Sequence, residues 1–253
     1  MTSSRRHAAI VDSLRTTGVA SVRELAERLR VSESTIRRDL KMLDRDGELI
    51  RTYGGAALSL ATSRPEDPFE LNAEHDAASK EAMAQRAAAL VPDDSVVMLD
   101  IGTSTSRIAR HLRGRPVTVI TSNVAVLDEL REDDTVRLVM LGGVLRRNYL
   151  SLVGSLTEAA LRQVSADLVF LSCTGVRSSG HVVDDMAIET PIKQSMIEAA
   201  DRVVLVAAAA KFPGTGSLRV CSLSDVDVVV TSEGADRQTL DVCRQAGGEV
   251  IVA

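Results

Sequence analysis

The stretch Ser32-Glu33-Ser34-Thr35-Ile36-Arg37-Arg38-Asp39-Leu40 decides the fold of the first part of this chain, because it predicts a helix with one apolar and one basic face. Ser32 can cap the helix by accepting a hydrogen bond from a backbone amide. Glu33 lies in the first turn, where the helix dipole favours an anion. The apolar face is formed at helical spacing by Ile36, Leu40 and Leu43.

The opposite face of the same helix carries hydroxyl groups and positive charges. Such groups on the first turns of a short helix can contact both the base edges and the phosphates of DNA. We therefore predict that this helix binds DNA through Ser32, Ser34, Thr35, Arg37, Arg38 and Lys41. Taken alone, the stretch leaves open a solvent-exposed basic helix without a nucleic-acid partner.

The residues before this helix complete a helix-turn-helix pattern. Residues 4–17 predict a first helix with Ile10 and Leu14 on its inner face, stopped at Gly18. Ser21-Val22-Arg23-Glu24 has the capping-box pattern that opens a second helix. A tight turn at Arg30-Val31 then leads into the third helix. This spacing is typical of the helix-turn-helix motif.

The residues after the third helix predict a β-hairpin, which makes the motif the winged form. Asp46-Gly47 is a turn signal, and residues 48–52 with Tyr53-Gly54-Gly55-Ala56 form a short hairpin. We predict a winged helix-turn-helix DNA-binding domain over residues 1–57. In the wing, Arg51 and Tyr53 are expected to contact the DNA backbone or the minor groove.

These motifs resemble the amino-terminal domain of the DeoR family of bacterial transcriptional repressors. The resemblance covers nearly every position from about 5 to 57 and is carried by Leu25-Ala26-Glu27-Arg28-Leu29, Thr35-Ile36-Arg37-Arg38-Asp39-Leu40 and Arg51-Thr52-Tyr53-Gly54-Gly55-Ala56. It implies a cytoplasmic, homo-oligomeric repressor that binds a double-stranded DNA operator. It also implies that a larger carboxy-terminal domain senses a phosphorylated small metabolite, usually a sugar.

Charge and composition agree with a basic module joined to an acidic body. The chain of 253 residues has a net charge of −5, but residues 1–55 hold 11 basic against 8 acidic side chains. The remainder holds 19 basic against 27 acidic side chains. Its three cysteines are widely spaced and predict reduced, buried thiols. No apolar run predicts a membrane span, and we expect no cofactor, metal ligand or catalytic residue.

The rest of the chain predicts a linker and an α/β domain. Residues 58–72 are polar with two prolines and predict the linker, and residues 73–253 predict an effector-sensing and oligomerisation domain. A helix over about 73–91 precedes continuous apolar runs that alternate with helical patterns. Such runs indicate strands buried on both faces, hence a doubly wound, mostly parallel sheet. The expected strands are residues 95–99, 117–120, 136–141, 168–172, 203–207, 226–230 and 249–252.

Polar or glycine-rich turns follow three of these strands, at the sheet edge where ligands bind in such folds. Asp100 precedes a hydroxyl-rich helix start, where backbone amides and glycine can cradle a phosphate. The expected site comprises Asp100, Gly102, Thr103, Ser104, Thr105, Thr121, Asn123, Gly142 and Gly143. Each of these features also has an ordinary structural explanation, as a helix cap or a tight turn.

The resemblance to the DeoR family extends to this second domain, whose fold in that family is related to ribose-5-phosphate isomerase and glucosamine-6-phosphate deaminase. It adds Lys211, with Phe212, to the effector site. Other family-like positions are Lys80, Gly154, Gly175, Gly180, Glu189 and Lys193. Two departures concern polar residues common in the family: Ala208 lies where an Asp is usual shortly before Lys211, and Asn72 replaces an Arg. Both changes remove polar groups that could contact a ligand, and they predict altered recognition of the effector.

Three functions follow from these patterns. The first is a DNA-binding repressor of metabolic genes whose operator affinity a phosphorylated metabolite controls. The second is a sugar-phosphate isomerase or deaminase with a DNA-binding domain, for which a carboxylate must act as general base. Its possible acids are Asp100, Asp184, Asp185 and Glu189. The third is a constitutive DNA-binding regulator whose α/β domain serves only for oligomerisation.

Overall fold

The structure is a computed structural model that describes residues 6–7, 9–11, 13–14, 19–45, 49–52, 54–58 and 68–253. Its contacts divide the chain into two compact units, Met1–Glu66 and Asp67–Ala253. Among the described residues, the first unit has one buried apolar core and the second has two. None of the helices in the described part of the chain combines the length and the apolar character that a bilayer crossing requires.

The first unit is a helix-turn-helix with a small antiparallel sheet. Residues 6–7, 9–11 and 13–14 are helical. The further elements are β1 (Val19–Ser21), α1 (Val22–Leu29), α2 (Glu33–Arg45), β2 (Leu49–Thr52) and β3 (Gly55–Leu58). Strands β2 and β3 form the expected hairpin. The predicted signals at Gly18, Asp46-Gly47 and Tyr53 lie outside the described residues.

The capping and burial expected for the first unit are confirmed. The Ser21 hydroxyl accepts a hydrogen bond from the Glu24 amide at 3.1 Å, and the Glu24 carboxylate accepts one from the Ser21 amide at 2.7 Å. Arg30 ends α1 in the left-handed region and forms the tight turn. The inner faces of the helices share one buried core, which contains Ile10, Leu14, Leu25, Ile36, Leu40 and Leu43.

Strand β1 was not predicted, because Val19–Ser21 is too short to show a periodic pattern. It pairs with β3 in the antiparallel sense and makes the sheet three-stranded. The pairing depends on Gly55, since a Cβ atom at this position would lie 2.3 Å from the Ala20 carbonyl oxygen. The close approach therefore explains a glycine that the sequence suggested only as part of the turn.

The second unit is an α/β fold around a seven-stranded sheet. Its helices are α3 (Phe69–Glu74), α4 (Ala77–Ala88), α5 (Thr103–Leu112), α6 (Val124–Leu130), α7 (Ser155–Leu161), α8 (Thr190–Glu198) and α9 (Arg237–Gln245). The sheet contains β4 (Val96–Leu99), β5 (Thr118–Thr121), β6 (Arg137–Met140), β9 (Ala166–Leu171), β12 (Ala200–Val206), β14 (Val228–Thr231) and β15 (Glu249–Val252). The smaller strands are β7 (Val144–Arg146), β8 (Ser151–Val153), β10 (Gly175–Val176), β11 (His181–Asp184) and β13 (Leu218–Ser222).

All neighbouring strands of the large sheet are parallel, in the order β15-β14-β12-β9-β4-β5-β6. The chain thus builds outward from β4 in one direction and from β9 in the other, which confirms the doubly wound topology. Successive residues of one strand belong to different cores: Leu168 and Phe170 pack in one, Val169 and Leu171 in the other. Burial on both faces explains the continuous apolar runs in the sequence.

Two expectations for this unit need correction. The helix expected over 73–91 is two helices, because Asp76 adopts the left-handed region at φ 55° between α3 and α4. Residues 69–72, which we assigned to the linker, lie in α3. The hairpin of β7 and β8 and the antiparallel sheet β10-β11-β13 were not predicted, since their strands are short and partly polar. The three cysteines are free and buried, as expected.

Candidate functional site

The exposed face of α2 is the first candidate site. Ile36 and Leu40 are buried on its inner side, whereas Arg37, Arg38 and Lys41 are exposed on the other. Ser32 and Ser34 are exposed as well, and Thr35 is half-buried. The structure therefore brings together the six residues that the sequence placed on one face of this helix.

The N-terminus of α2 is capped as expected. The Ser32 hydroxyl accepts a hydrogen bond from the Thr35 amide at 3.2 Å. It also lies 2.9 Å from the Ser34 hydroxyl and 2.8 Å from the Thr35 hydroxyl. The three side chains form one hydroxyl cluster at the end of the helix where amides and the helix dipole favour an anion such as a DNA phosphate.

The basic residues of α2 differ in their surroundings. Arg37 donates a hydrogen bond to Glu33 at 2.7 Å, and both side chains are largely exposed. Within the described part of the chain, Arg38 and Lys41 have no ion-pair partner. Arg51 lies in β2, but its side chain is outside the described residues, as is all of Tyr53.

Asp39 supports this helix from behind, a role that sequence reasoning missed. Its buried carboxylate accepts hydrogen bonds from Arg6 at 3.0 Å and from His7 at 3.1 Å. Burial alone raises the pKa of Asp39, but the hydrogen bonds from Arg6 and His7 outweigh it and leave that pKa lowered. Asp39 thus ties α2 to the helical residues at the start of the chain.

The second candidate site lies at the point where the strand order of the large sheet reverses. Asp100 follows β4 and Ser172 follows β9, the two neighbouring strands from which the sheet grows in opposite directions. A Cβ atom on Gly102 would lie 2.4 Å from the Ser172 side chain, so the close approach of the two loops requires glycine. Ligands of open α/β sheets bind in the crevice at such a reversal.

Asp100 is fully buried, and its oxygen Oδ2 is held by contacts within the protein. Oδ2 accepts hydrogen bonds from the Ser172 amide at 2.9 Å and the Ser172 hydroxyl at 2.7 Å, and it pairs with Lys193. Oδ1 has no hydrogen-bond partner among the residues that the structure describes. Asp100 therefore has one oxygen that is still available as an acceptor.

Lys193 is the buried cation of this crevice. Besides Asp100, its ammonium lies 3.5 Å from Asp184 and donates to the Ser172 carbonyl oxygen at 3.0 Å. Burial lowers the pKa of Lys193, but the carboxylates of Asp100 and Asp184 outweigh burial and raise that pKa. Lys193 therefore stays charged. The sequence suggested this lysine only through the family resemblance.

The four hydroxyl residues that open α5 are all buried, but they divide into two groups. The Thr105 hydroxyl lies 2.6 Å from the Asp100 carbonyl oxygen and 2.7 Å from that of Gly102, which holds the loop together. Ser106 donates in the same way to the Thr103 carbonyl. The hydroxyls of Thr103 and Ser104 make no hydrogen bond among the described residues.

The loops after the next two strands have mostly structural roles. Thr121 donates to the Leu99 carbonyl at 2.7 Å, and Asn123 caps α6 by accepting from the Ala125 amide at 2.9 Å. Both side chains are fully buried. At Gly143 a Cβ atom would lie 2.3 Å from the Thr157 hydroxyl, whereas that of Gly142 would meet nothing within 4 Å. The structural explanation is thus the better one for Thr121, Asn123 and Gly143.

Three cations, Lys80, Arg107 and Lys211, lie near the start of α5. Burial, followed by the charges of Lys211 and Arg107, lowers the pKa of Lys80 to about 8. Arg107 lies one turn beyond Thr103 on α5, and Lys211 donates to the Cys173 carbonyl, next to Ser172. Sequence reasoning placed only Lys211 in the site. The signal for Arg107 was its position one turn after the hydroxyl-rich helix start.

The hairpin of β7 and β8 lies against the segment that follows β5. The Leu152 amide donates to the Ser122 carbonyl at 2.8 Å, and the Val124 amide donates to the Leu150 carbonyl at 2.7 Å. Arg146 forms an ion pair with the buried Glu189, whose carboxylate also accepts from Ser151 at 3.4 Å. Glu189 thereby connects the hairpin to the start of α8.

Both units match family models. Residues 6–61 match the DeoR-like helix-turn-helix domain, and residues 75–233 match the DeoR C terminal sensor domain.

Three curated relatives are similar to nearly the whole chain. A putative aga operon transcriptional repressor of Escherichia coli O157:H7 is 32% identical over 98% of this chain and 93% of its own. The L-fucose operon activator of Escherichia coli K12 is 30% identical over 90% and 94% of the two chains. The glycerol-3-phosphate regulon repressor of that strain is 30% identical over 91% of each chain.

A solved structure of ribose 5-phosphate isomerase A from Methanocaldococcus jannaschii overlaps 52% of this chain and 52% of its own. The identity is 16% and the TM-score 0.39, a likeness too low to carry a functional argument.

Proposed function

Because the chain belongs to the DeoR family of transcriptional regulators, we propose that it represses metabolic genes by binding a double-stranded DNA operator under the control of a phosphorylated small metabolite. The observation that carries this proposal is that a helix-turn-helix with an exposed basic face is joined to a separate α/β unit whose cations lie near the loops after β4 and β9. The three curated relatives are named as regulators of aga, fucose and glycerol-3-phosphate genes, which supports a sugar-related role.

For DNA, we assign the base and phosphate contacts to the exposed face of α2. Arg38 and Lys41 are the best candidates for direct contacts, because within the described residues no carboxylate competes for them. Arg37 would have to break or share its ion pair with Glu33 in order to contact DNA. Ser32, Ser34 and Thr35 are suited to phosphates near the helix N-terminus, and Arg51 and Tyr53 remain proposed contacts of the wing.

For the effector, we propose that the phosphate lies at the N-terminus of α5. The backbone amides after Gly102 and the hydroxyls of Thr103 and Ser104 are available there, and Lys80 and Lys211 add positive charge. Thr105, Thr121, Asn123 and Gly143 hold these loops in place, and Gly142 leaves open space beside them. Asp100 keeps Oδ1 as an acceptor for a hydroxyl of the metabolite.

Ala208 and Asn72 favour altered recognition of the part of the ligand that carries the hydroxyls. Both lie where the DeoR family commonly has a charged side chain, whereas the cations that would hold the phosphate are retained. A test is calorimetry with inorganic phosphate, sugar phosphates and non-phosphorylated sugars. Binding of the phosphorylated compounds supports the proposal. Binding of free sugars alone contradicts the phosphate site, and no binding at all favours the constitutive regulator.

The enzyme alternative is weakened by the engagement of its candidate acids. Asp100 and Asp184 pair with Lys193, and Glu189 pairs with Arg146. Asp185 accepts a hydrogen bond from the Ser217 amide at 3.3 Å. A general base must be positioned to take a proton from the substrate, and an ion pair with a buried cation opposes that role. Turnover of aldose phosphates by the purified protein would restore the enzyme alternative.

We propose that the active form is a homo-oligomer. A single winged helix makes few base contacts, and a second copy gains affinity by placing another recognition helix on a paired half-site. Light scattering of the full chain at micromolar concentration is expected to give at least twice the mass of one chain, 27.1 kDa. A monomer under those conditions would contradict this arrangement.

A further inference from the structure

The short helix α3 is the first helix of the second unit along the chain, and the cations of the candidate anion site hold its C-terminal end. The last carbonyl groups of a helix have no partner within the helix. In α3, Lys80 donates to the Asn72 carbonyl oxygen, and Arg107 donates to the Ala73 carbonyl oxygen at 2.8 Å. The acceptors of these two cations therefore include neutral backbone oxygens of α3.

Lys211 and Arg107 both lie close enough to Lys80 to lower its pKa, so positive charge is concentrated at this end of α3. Lys80 is half-buried, and both Lys211 and Arg107 disfavour its charge, in addition to the effect of burial on its pKa. Arg107 also contacts Glu81 at 3.0 Å. A phosphate would stabilise such a cluster more than neutral carbonyl oxygens do, because its negative charge adds a Coulombic attraction to the hydrogen bonds that the cations donate.

The other end of α3 is held by different contacts. The Phe69 amide donates to the Asn148 carbonyl oxygen at 2.9 Å, in the turn between β7 and β8. The Phe69 ring is buried and packs edge-on against Tyr149, with ring centroids 5.7 Å apart. These contacts lie on the hairpin and involve none of the three cations.

The joint after α3 separates this helix from α4. His75 ends the helix in an extended conformation, and Asp76 adopts the left-handed region before α4 begins. Leu71, in the middle of α3, is 58% exposed. A helix of six residues with an exposed apolar side chain belongs to the low-stability part of a fold, where local opening costs little.

We propose that α3 is a displaceable latch: an anion bound at Lys80, Arg107 and Lys211 competes with the C-terminal carbonyls of α3 and releases the helix. This inference rests on the proposed effector site. An anion and the negative end of a helix repel each other when they share the same cations. Because α3 is the helix that follows the DNA-binding unit along the chain, its release alters the segment through which the two units are joined.

Coupling of this kind is reciprocal, which makes the latch testable without the natural effector. If anion binding releases α3, any change that weakens the docking of α3 must raise the affinity for the anion. Phe69→Ala removes the aromatic anchor and touches none of the three cations. Leu71→Ala, in the same helix, shortens a largely exposed side chain and is the matched control.

The experiment uses the full chain and inorganic phosphate as the probe. Calorimetry measures the phosphate affinity of the wild type and both variants, and hydrogen exchange reports on residues 69–76 with and without phosphate. We expect Phe69→Ala to bind phosphate about five-fold or more tightly, the lower end of typical coupling. We also expect Leu71→Ala to match the wild type, and phosphate to accelerate exchange in α3.

Equal or weaker phosphate binding in Phe69→Ala, or protection of residues 69–76 by phosphate, would overturn the latch while leaving the effector site intact. If neither the wild type nor the Phe69→Ala variant bound phosphate, both the latch and the proposed effector site would be wrong.

Discussion

Lys193→Met is expected to lower the free energy of unfolding by about 3–5 kcal/mol, because removing one partner of a buried ion pair leaves an uncompensated charge. In this variant two carboxylates, those of Asp100 and Asp184, lose the lysine with which both of them pair. Urea denaturation of the full chain, followed by circular dichroism, measures the change. The loss should affect the second unit, where all three residues lie.

Two further variants test whether the loss of stability comes from the buried ion pair. Lys41→Met replaces an exposed lysine of α2 and should change the stability little. Combining Lys193→Met with Asp100→Asn removes one of the stranded charges and should restore part of the lost stability. A loss below about 1 kcal/mol at neutral pH would show that the ion pair does not hold the crevice together.

Ser104→Asp is expected to abolish phosphate binding to the second unit. The new carboxylate would lie in the first turn of α5, beside the amides that we assign to the phosphate, and like charges repel at that distance. Ser104→Ala is the matched control, since it removes the hydroxyl but keeps the amides, and it should weaken binding only modestly. Calorimetry with inorganic phosphate and sugar phosphates gives the affinities. Undiminished phosphate binding by Ser104→Asp would contradict this location.

The large sheet could be predicted from the sequence because each of its strands is a continuous apolar run. All seven predicted strands are present, with ends that differ by a few residues. The short strands could not be predicted in the same way. For example, Gly175–Val176 is too short for any periodicity, and the two-residue strand exists because the longer β11 pairs with it. The break between α3 and α4 depends on the backbone conformation of Asp76, which an otherwise helical pattern conceals.

The candidate site was predictable in its location but not in its contacts. Polar residues after parallel strands must meet at one edge, so the grouping of Asp100 with Asn123 followed from topology. The ion-pair partner of Asp100 could not be predicted in this way, because Lys193 is 93 residues away in the sequence and lies on a helix. Likewise, the hydroxyl of Thr105 resembles that of Ser104 in the sequence, and only the hydrogen bonds to Asp100 and Gly102 distinguish the two.

DNA binding under the control of a phosphorylated metabolite is tested most directly by titrating the protein against duplex DNA from its own upstream region, with and without a panel of sugar phosphates. Fluorescence anisotropy is suited to both measurements. We predict that the wild type binds and that one phosphorylated compound changes the dissociation constant by about 5–150-fold. Arg38→Ala should weaken binding by about 1–3 kcal/mol if Arg38 contacts a guanine, whereas the exposed Arg86→Ala control should not. Unchanged DNA affinity in both Arg37→Ala and Arg38→Ala, or the absence of any effect of phosphorylated metabolites, would contradict the account.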